Sequence, residues 1–306
     1  LCDRRQRQMC IRDSTSVLGV IPYFHLDIED EDSLTERFRK KSRSGLAKIA
    51  VIRLPRISNF TDIAPLEAVD ELDVSYVSNI SQFGDPDVVI IPGSKNTISD
   101  LLWMRQNGLE GKILRHAAKG GIVFGICGGY QMLGQSISDP TGAEQKGTVR
   151  GMGLLPVTTV FEQEKRRTRV SGRFAKVGGA LAEMSGVCYE GYEIHMGRTV
   201  LSKGTVPLVY MEEEGEQRQD GAQSDHVYGC YMHGIFDMSE TVKTFLAAVL
   251  RKKGIDPSKI TVRDRNAYKE EQYDRLASIV RENLNMEAVY KIIEKGNEAS
   301  CSLLSE

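Results

Sequence analysis

Short apolar runs alternate with amphipathic stretches through the first half of the chain. Four runs have the length and the β-branched content of buried strands, and two stretches show helical spacing. The strand candidates are Ile49–Leu54, Val74–Val77, Val88–Ile91 and Ile122–Phe124, and the helix candidates are Ser99–Gln106 and Gly111–Ala118. Strands alternating with helices predict an α/β fold with a mainly parallel sheet and helices on both faces.

The pattern changes after Gly134, where strand candidates become shorter and are separated by glycines. They are Leu154–Phe161, Thr168–Phe174, Gly191–His195 and Val227–Tyr231. These segments predict an antiparallel extension of the sheet. Two amphipathic helices, Ser239–Lys253 and Glu270–Ile293, are predicted to follow, with a frayed tail over residues 297–306.

The first part of the chain lacks these strand and helix patterns. Residues 1–14 contain four arginines and two cysteines without any helical or strand period, and we interpret them as a non-native scar. Val17–Pro22 is predicted as a short buried strand, and an acidic run, Asp27–Asp32, precedes a basic stretch, Arg37–Arg43, that is typical of a linker. The chain begins with Leu1 rather than Met, so we expect a fragment.

Composition excludes several classes of protein. The 306 residues are 41% hydrophobic and carry a net charge of -2, which predicts a globular protein without a general attraction for nucleic acid or for an anionic membrane. No apolar run approaches the roughly 18 residues of a membrane-spanning helix and no secretory signal is apparent, so a cytoplasmic protein is expected. The six cysteines form no CxxC pair and lack the spacing typical of metal ligands, which argues against a zinc site and against a disulfide scaffold.

The sharpest chemical signal is Gly125-Ile126-Cys127-Gly128-Gly129, which follows an apolar strand and precedes a helix-compatible segment. This is the cysteine form of a nucleophile elbow, in which a strained turn exposes one side chain at the carboxyl end of a sheet. The N–H groups of the following helix start would stabilise a thiolate and an oxyanion. The alternative is a glycine-rich turn that holds a buried cysteine.

A thiol nucleophile needs a base, and the chain offers five histidines. His233 and His195 each end a strand-like run, whereas His25, His116 and His226 lie in polar or helical surroundings typical of surface residues. Spacing alone does not choose between His233 and His195.

Three further segments accompany the elbow. They are Ile91-Pro92-Gly93-Ser94-Lys95-Asn96-Thr97, Gly191-Tyr192-Glu193-Ile194-His195-Met196-Gly197-Arg198-Thr199 and Tyr231-Met232-His233-Gly234-Ile235-Phe236. Together these segments resemble the cobyric acid synthases, triad-type glutamine amidotransferases that amidate the corrin ring in cobalamin biosynthesis. The resemblance runs from about Val17 to Ile293, and it implies a flavodoxin-like class I amidotransferase fold.

The resemblance also implies roles for individual residues. Cys127 would be the nucleophile and His233 the base, while His195 would be structural or face the substrate. Backbone N–H groups at Gly128 and near Gly93 and Ser94 would hold the oxyanion and the glutamine. Many triad amidotransferases have Glu two residues after the histidine, where this chain has Ile235. We therefore expect a Cys–His dyad without a third carboxylate.

The polar turn before the first predicted helix has a second interpretation. Ser94, Lys95 and Asn96 are also compatible with a simple turn whose helix N-cap is Thr97. The roles of their side chains stay open.

The chain contains no Gly-x-x-x-x-Gly-Lys-Ser/Thr phosphate loop. In the cobyric acid synthases an ATP-binding domain similar to dethiobiotin synthetase precedes the amidotransferase domain. The resemblance therefore implies that residues 15–45 are the tail of a truncated ATP-binding domain and a linker, 46–253 the amidotransferase domain, and 254–306 a C-terminal helical segment and tail. ATP and Mg²⁺ are expected for the missing domain, and no cofactor or metal for this fragment.

By the same resemblance, the chain would release ammonia from glutamine for ATP-dependent amidation of adenosylcobyrinic acid a,c-diamide to adenosylcobyric acid. Its partners would be glutamine, this corrin substrate and the missing synthetase domain. Two alternatives remain open. One is the amidotransferase domain of another ligase, such as the a,c-diamide synthase or a cell-wall amidase, and the other is a non-catalytic module in which Cys127 serves packing.

Overall fold

A computed structural model of the chain describes residues 17–24, 45–213, 216–259 and 265–302. The predicted scar, acidic run and basic linker lie outside these residues. The described residues belong to two units. The larger contains residues 45–213, 216–259 and 265, and the smaller contains residues 17–24 and 266–302.

The elements are named here in chain order. The strands are β1 (Ala47–Ile52), β2 (Ile57–Ser58), β3 (Leu72–Val77), β4 (Val88–Ile91), β5 (Gly93–Ser94), β6 (Ile122–Ile126), β7 (Ser136–Asp139), β8 (Gly147–Arg150), β9 (Val157–Phe174), β10 (Cys188–Leu201), β11 (Val209–Glu213), β12 (Glu216–Asp220), β13 (Ala222–Ser224) and β14 (Val227–Cys230). The helices are α1 (Ala64–Glu67), α2 (Thr97–Gln106), α3 (Leu109–Ala118), α4 (Gly128–Leu133), α5 (Ser239–Lys252), α6 (Arg265–Asn283) and α7 (Met286–Ser302).

The first sheet of the larger unit has six strands in the order β13-β14-β6-β4-β1-β3. All neighbours from β14 to β3 pair in parallel, and β13 pairs with β14 in antiparallel orientation. The central strands β4 and β6 are buried along their whole length, which explains their unbroken apolar sequences. The predicted α/β fold with a mainly parallel sheet is confirmed.

The second sheet contains the predicted antiparallel extension, except that Val227–Tyr231 was wrongly assigned to it: this segment forms β14 of the first sheet and pairs in parallel with β6. The strand order of the second sheet is β12-β11-β9-β7-β8, and β10 pairs with β9. The prediction of separate short strands is wrong here, because residues 157–174 form one strand of 18 residues. The charged residues between the two predicted strands belong to this strand, although their side chains do not alternate, since residues 162–165 are all exposed. They form a bulge: Phe161 lies opposite Gly197 and Arg166 opposite His195, so four residues of β9 face one residue of β10.

The smaller unit contains α6 and α7. The predicted single helix Glu270–Ile293 is wrong, because the backbone N–H of Asn285 donates to Leu18 O (2.8 Å) and the Asn285 side chain accepts from Ala288 N (3.1 Å). Asn285 thus begins a new helix. That helix runs to Ser302, so residues 297–302 are not the expected frayed tail. Among residues 17–24 the predicted strand is reduced to one isolated bridge between Gly19 and Leu284.

Within the described ranges, no helix combines the length and the apolar character needed to cross a bilayer.

Candidate active site

The predicted site residues follow neighbouring strands of the parallel sheet. Cys127 follows β6, His233 follows β14, and Gly93 and Ser94 follow β4. Since β14, β6 and β4 are adjacent and parallel, their carboxyl ends meet at one edge of the sheet. The structure therefore brings these residues together.

Cys127 lies on a strained turn. Its backbone has φ 51° and ψ -106°, outside the regions that L-residues normally occupy. The turn requires glycine on either side: a Cβ at Gly129 would lie 1.9 Å from Ile91 O, and one at Gly125 would lie 2.7 Å from Tyr130 N. This geometry is that of the predicted nucleophile elbow.

The Cys127 side chain is 7% exposed and faces a cavity of about 310 Å³. Its Sγ lies 3.8 Å from Ile194 O, and its backbone N–H donates to Cys230 O of the neighbouring strand (2.9 Å). The thiol is thus fixed at the floor of a cavity that can admit a small molecule.

The three predicted oxyanion residues gather beside the thiol. A Cβ at Gly128 would lie 2.9 Å from Ser94 N, and one at Gly93 would lie 3.1 Å from His233 Cε1. Gly128 is also the first residue of α4, where backbone N–H groups have no acceptor within the helix. The backbone donors of Gly128 and Ser94 therefore stand close together next to the nucleophile.

The side chains of the polar turn serve the local structure. Ser94 Oγ donates to Asp100 Oδ2 (2.7 Å) and accepts from Asn96 N (3.0 Å). The N-cap of α2 is Asn96, whose Oδ1 accepts from Ser99 N (3.0 Å), so the predicted cap at Thr97 is one residue off. Lys95 lines the cavity.

His233 is fully buried and has a carboxylate partner. Its Nδ1 lies 2.7 Å from Asp62 Oδ2, and Asp62 Oδ1 accepts from Gly234 N (2.8 Å). The expected dyad without a third carboxylate is therefore wrong. The carboxylate reaches His233 from the side of β1 rather than from the position two residues after the histidine.

The charge of Asp62 controls the protonation of His233. Burial lowers the pKa of His233, but the charge and hydrogen bond of Asp62, together with Cys127, outweigh burial and raise the pKa from 6.5 to about 10. Among the described residues no atom completes a hydrogen bond of normal geometry with Nε2, but Cys127 lies close enough to raise the His233 pKa through hydrogen bonding as well as charge. A protonated imidazole can donate its Nε2 proton toward the cavity.

Local sequence gives no sign of Asp62. It belongs to a 3-10 turn, Phe60–Ile63, that begins after Asn59 in the left-handed conformation. The available signal is topological: Asp62 follows β1, a neighbour of β4, so its loop also belongs to the carboxyl edge of the sheet. No sequence motif marks the turn Asn59–Ile63.

His195, the other candidate base, has different partners. Its ring stacks on Tyr231 with centroids 3.7 Å apart, and its Nδ1 lies 2.8 Å from Gly197 O. Its Nε2 lies 3.7 Å from Oε1 of the buried Glu193. Burial raises the pKa of Glu193, but His195 and Arg218 outweigh it and hold the pKa at about 2. His195 thus lines the cavity while its ring is paired with a carboxylate.

Polar side chains that the motifs did not reveal line the same cavity. Gln131 of α4 accepts from Thr97 Oγ1 (3.2 Å) and donates to Tyr231 OH (3.0 Å). Glu144 accepts from the backbone N–H of Thr97, and burial raises the pKa of Glu144 although these hydrogen bonds oppose the shift. Lys165 of β9 adds a cation.

No group of three or more His, Cys, Asp or Glu side chains with the geometry of a metal site occurs among the described residues.

Comparisons with known proteins agree with this geometry. Residues 48–241 match the family of CobB/CobQ-like glutamine amidotransferase domains. The chain is similar to the cobyric acid synthase of Ruminiclostridium cellulolyticum, with 52% identity over 95% of this chain and 57% of that protein. It is also similar to the cobyric acid synthase of Lachnoclostridium phytofermentans, with 44% identity over 91% of this chain and 56% of that protein.

In fold, the chain is similar to the PurLQS structure from Thermotoga maritima, with a TM-score of 0.51 and 17% identity over 68% of this chain and 99% of that chain. The chain spans 57% of the length of the first of these cobyric acid synthases. The family match covers the elbow, the oxyanion loops, His233 and Asp62. The chain therefore belongs to the family of CobB/CobQ-like glutamine amidotransferase domains.

Proposed function

We propose that this chain is the glutaminase part of a cobyric acid synthase, which releases ammonia from glutamine for amidation of a corrin. The single observation that carries the glutaminase assignment is the constellation at the sheet edge: Cys127 on its strained elbow, with His233 held by Asp62 beside it. A nucleophile, a base and an oriented carboxylate are the parts of a covalent acyl-transfer site.

In the first half of the reaction, the Cys127 thiolate attacks the side-chain carboxamide carbon of glutamine. The resulting oxyanion accepts hydrogen bonds from the backbone N–H groups of Gly128 and Ser94. Protonated His233 gives its Nε2 proton to the amide nitrogen as the C–N bond breaks. Ammonia leaves, and a thioester to Cys127 and a neutral His233 remain.

In the second half, water attacks the thioester carbonyl while His233 takes up one of its protons. The C–S bond breaks, the glutamate side-chain acid is released, and Cys127 is again a thiolate beside a protonated His233. Asp62 keeps Nδ1 protonated and fixes the imidazole ring throughout, so Nε2 alone exchanges protons.

The charges of the cavity suit the main-chain groups of free glutamine. The carboxylate of Glu144 would accept from the α-ammonium group, and the ammonium group of Lys165 would bind the α-carboxylate. Gln131 also lines the cavity and is fixed by hydrogen bonds with Thr97 and Tyr231. These residues would orient the side-chain amide toward Cys127.

The acceptor assignment rests on the relatives named cobyric acid synthase. We infer that the carboxylates of adenosylcobyrinic acid a,c-diamide are activated with ATP and Mg²⁺ in a synthetase domain and then receive the ammonia. The relatives are longer than this chain, which supports a division of labour between two domains.

Glutamine hydrolysis by the purified chain tests the glutaminase assignment. Wild-type protein and Cys188→Ser, which alters an exposed cysteine, are expected to release glutamate, whereas Cys127→Ala is not. A glutamine-like electrophile should label Cys127 in the first two proteins. Absence of both glutamate release and labelling would instead indicate a non-catalytic module.

Substrate trials with a protein that also carries the synthetase domain test the acceptor. Cys127→Ala should abolish glutamine-dependent amidation of the a,c-diamide and leave ammonia-dependent amidation intact. Loss of both activities would contradict the division of labour. Amidation of a different acid, and not of this corrin, would assign the domain to another ligase.

A further inference from the structure

The two faces of β9 carry cations in different environments. Arg166 lies opposite His195 on β10 and faces the side of the sheet that bears Glu193. There it forms ion pairs with Glu193 (2.9 Å) and with Glu213, and Arg218 of β12 pairs with the same two carboxylates. The cations of this face are therefore neutralised.

The opposite face of β9 carries Arg167 and Arg169, which alternate with Arg166 and Thr168 of the first face and lie in the regularly paired part of the strand. Both are exposed. Throughout the described ranges, neither of these two side chains forms an ion pair or a side-chain hydrogen bond. We call these two residues the cation strip.

The cation strip borders the candidate active site. Arg167 lies opposite Ile194, whose carbonyl oxygen is 3.8 Å from Cys127 Sγ. Arg169 lies opposite Tyr192, whose ring stacks on His233 with centroids 5.3 Å apart. Residues directly opposite each other on antiparallel strands point to the same face. The strip and the catalytic His233 thus share one face of β10 and β9, and Lys165, two residues before Arg167, lines the cavity.

Acidic side chains on this face lie beyond the strip. Glu190 and Glu212 both lie opposite Ser171, and Arg173 follows after them. Between the cavity and Ser171 the exposed cations have no carboxylate beside them on β10. Their positive charge is available to a ligand.

The spacing of the strip indicates the kind of ligand. Alternate residues of a strand are about 7 Å apart, so the backbones of Arg167 and Arg169 are separated by roughly this distance. One carboxylate cannot pair fully with both arginines, whereas a broad molecule with several carboxylates can. Arginine binds carboxylates in bidentate geometry.

We propose that the cation strip binds the acceptor of the ammonia, a rigid polycarboxylate, at the mouth of the glutaminase cavity. This assignment rests on the proposed function, because a corrin acid is such a polycarboxylate. Binding there would hold one side of the acceptor beside the glutaminase cavity while the synthetase domain activates its carboxylates. The strip would also select an acid over the finished amide, since an amide carries no charge.

Equilibrium dialysis of the whole chain at low ionic strength tests the proposal, with the visible absorbance of the corrin as readout. The probes are a corrin heptacarboxylic acid and the corresponding heptaamide. The test variant is Arg167→Ser/Arg169→Ser. The matched control is Arg173→Ser, which removes an exposed cation from the same face of the same strand beyond Glu190 and Glu212.

Wild type and Arg173→Ser should bind the acid at least tenfold more tightly than the amide, and added salt should weaken this binding. The double variant should bind the acid roughly tenfold more weakly than wild type. Equal binding of acid and amide, or an unchanged affinity in the double variant, overturns the proposal. Polyaspartate binding as tight as that of the corrin acid also overturns it and assigns the strip to a protein partner.

Glutamate release separates this proposal from the proposed function. The double variant should hydrolyse glutamine at the wild-type rate and unfold at the wild-type temperature. Normal hydrolysis combined with no preference for the acid refutes the cation strip alone. Absence of hydrolysis in the wild-type chain refutes the proposed function, and the acceptor assignment fails with it.

Discussion

Asp62 Oδ2 lies 2.7 Å from His233 Nδ1, although 171 residues separate the two in sequence. The second oxygen of Asp62 accepts from the backbone N–H of Gly234, so the carboxylate holds both the imidazole ring and the turn that follows it. Both partners are buried, and water does not compete for these hydrogen bonds. The position after His233 that carries Glu in many amidotransferases is therefore not needed to orient the base.

Replacement of Asp62 tests this relationship directly. Asp62→Asn should lower kcat for glutamine hydrolysis by roughly 100-fold or more, because the imidazole loses its orientation and the charge that keeps it protonated. Steady-state glutamate release measures the effect. Asp85→Asn, which alters an exposed carboxylate, should keep the wild-type rate. A rate for Asp62→Asn within threefold of wild type would contradict the assigned role.

The shifted pKa of His233 predicts a pH dependence of stability. The pKa in the folded protein is about 10, above the ordinary 6.5. The stabilisation is therefore fully present below pH 6.5 and is lost as the pH rises toward 10. Over this range the unfolding free energy of wild type should fall by up to about 5 kcal/mol more than that of His233→Asn. Urea denaturation at several pH values measures it, and parallel curves would contradict the prediction.

Replacement by alanine should have opposite effects on stability at Gly129 in the elbow and at Gly111 in α3. In Gly129→Ala the new Cβ would lie 1.9 Å from Ile91 O, so the turn must shift and Cys127 with it. Stability should fall by about 3 kcal/mol or more, and hydrolysis should be lost. In Gly111→Ala the new Cβ, inside α3, meets nothing within 4 Å. This variant should gain about 0.5–1 kcal/mol and keep full activity, as denaturation and glutaminase assays can show.

The backbone N–H and the side-chain hydroxyl of Ser94 have different roles, which a substitution can distinguish. Its hydroxyl binds Asp100, which is buried and also pairs with Arg56, whereas its backbone N–H faces Gly128. Ser94→Ala should therefore lower the unfolding free energy by about 1 kcal/mol and change kcat less than fivefold. A loss of kcat by two orders of magnitude without a change in stability would assign the hydroxyl to catalysis.

Sequence reasoning located the parts of the site that depend on local geometry. The strand, the flanking glycines and the following helix are contiguous around Cys127, so the elbow is readable within a dozen residues. Sequence spacing does not distinguish His233 from His195 as the candidate base, whereas their partners in the structure do. His233 interacts with Asp62 and Cys127, and His195 with Glu193 and Tyr231.

Features that depend on distant contacts could not be predicted in this way. Asp62 reaches His233 along the carboxyl edge of the sheet although β4 and β6 lie between β1 and β14, and no local period encodes this arrangement. The length of β9 depends on its pairing with β10, and the break at Asn285 depends on a hydrogen bond to Leu18. In each case a tertiary partner decides the outcome over local propensity.

The alternation of β9 also guards against misfolding. A slip of one residue in its pairing with β10 would exchange the two faces of the strand. Arg167 would then take the place of Arg166 near Glu193, which also keeps Arg218, so the ion pairs alone do not exclude the slip. Buried Val170 and Phe174, however, would be turned toward solvent, and exposed Arg169 and Arg173 would be turned inward. Such a state would cost several kcal/mol. The alternation of buried apolar and exposed charged residues therefore acts as a register lock, which disfavours wrong strand pairings during folding.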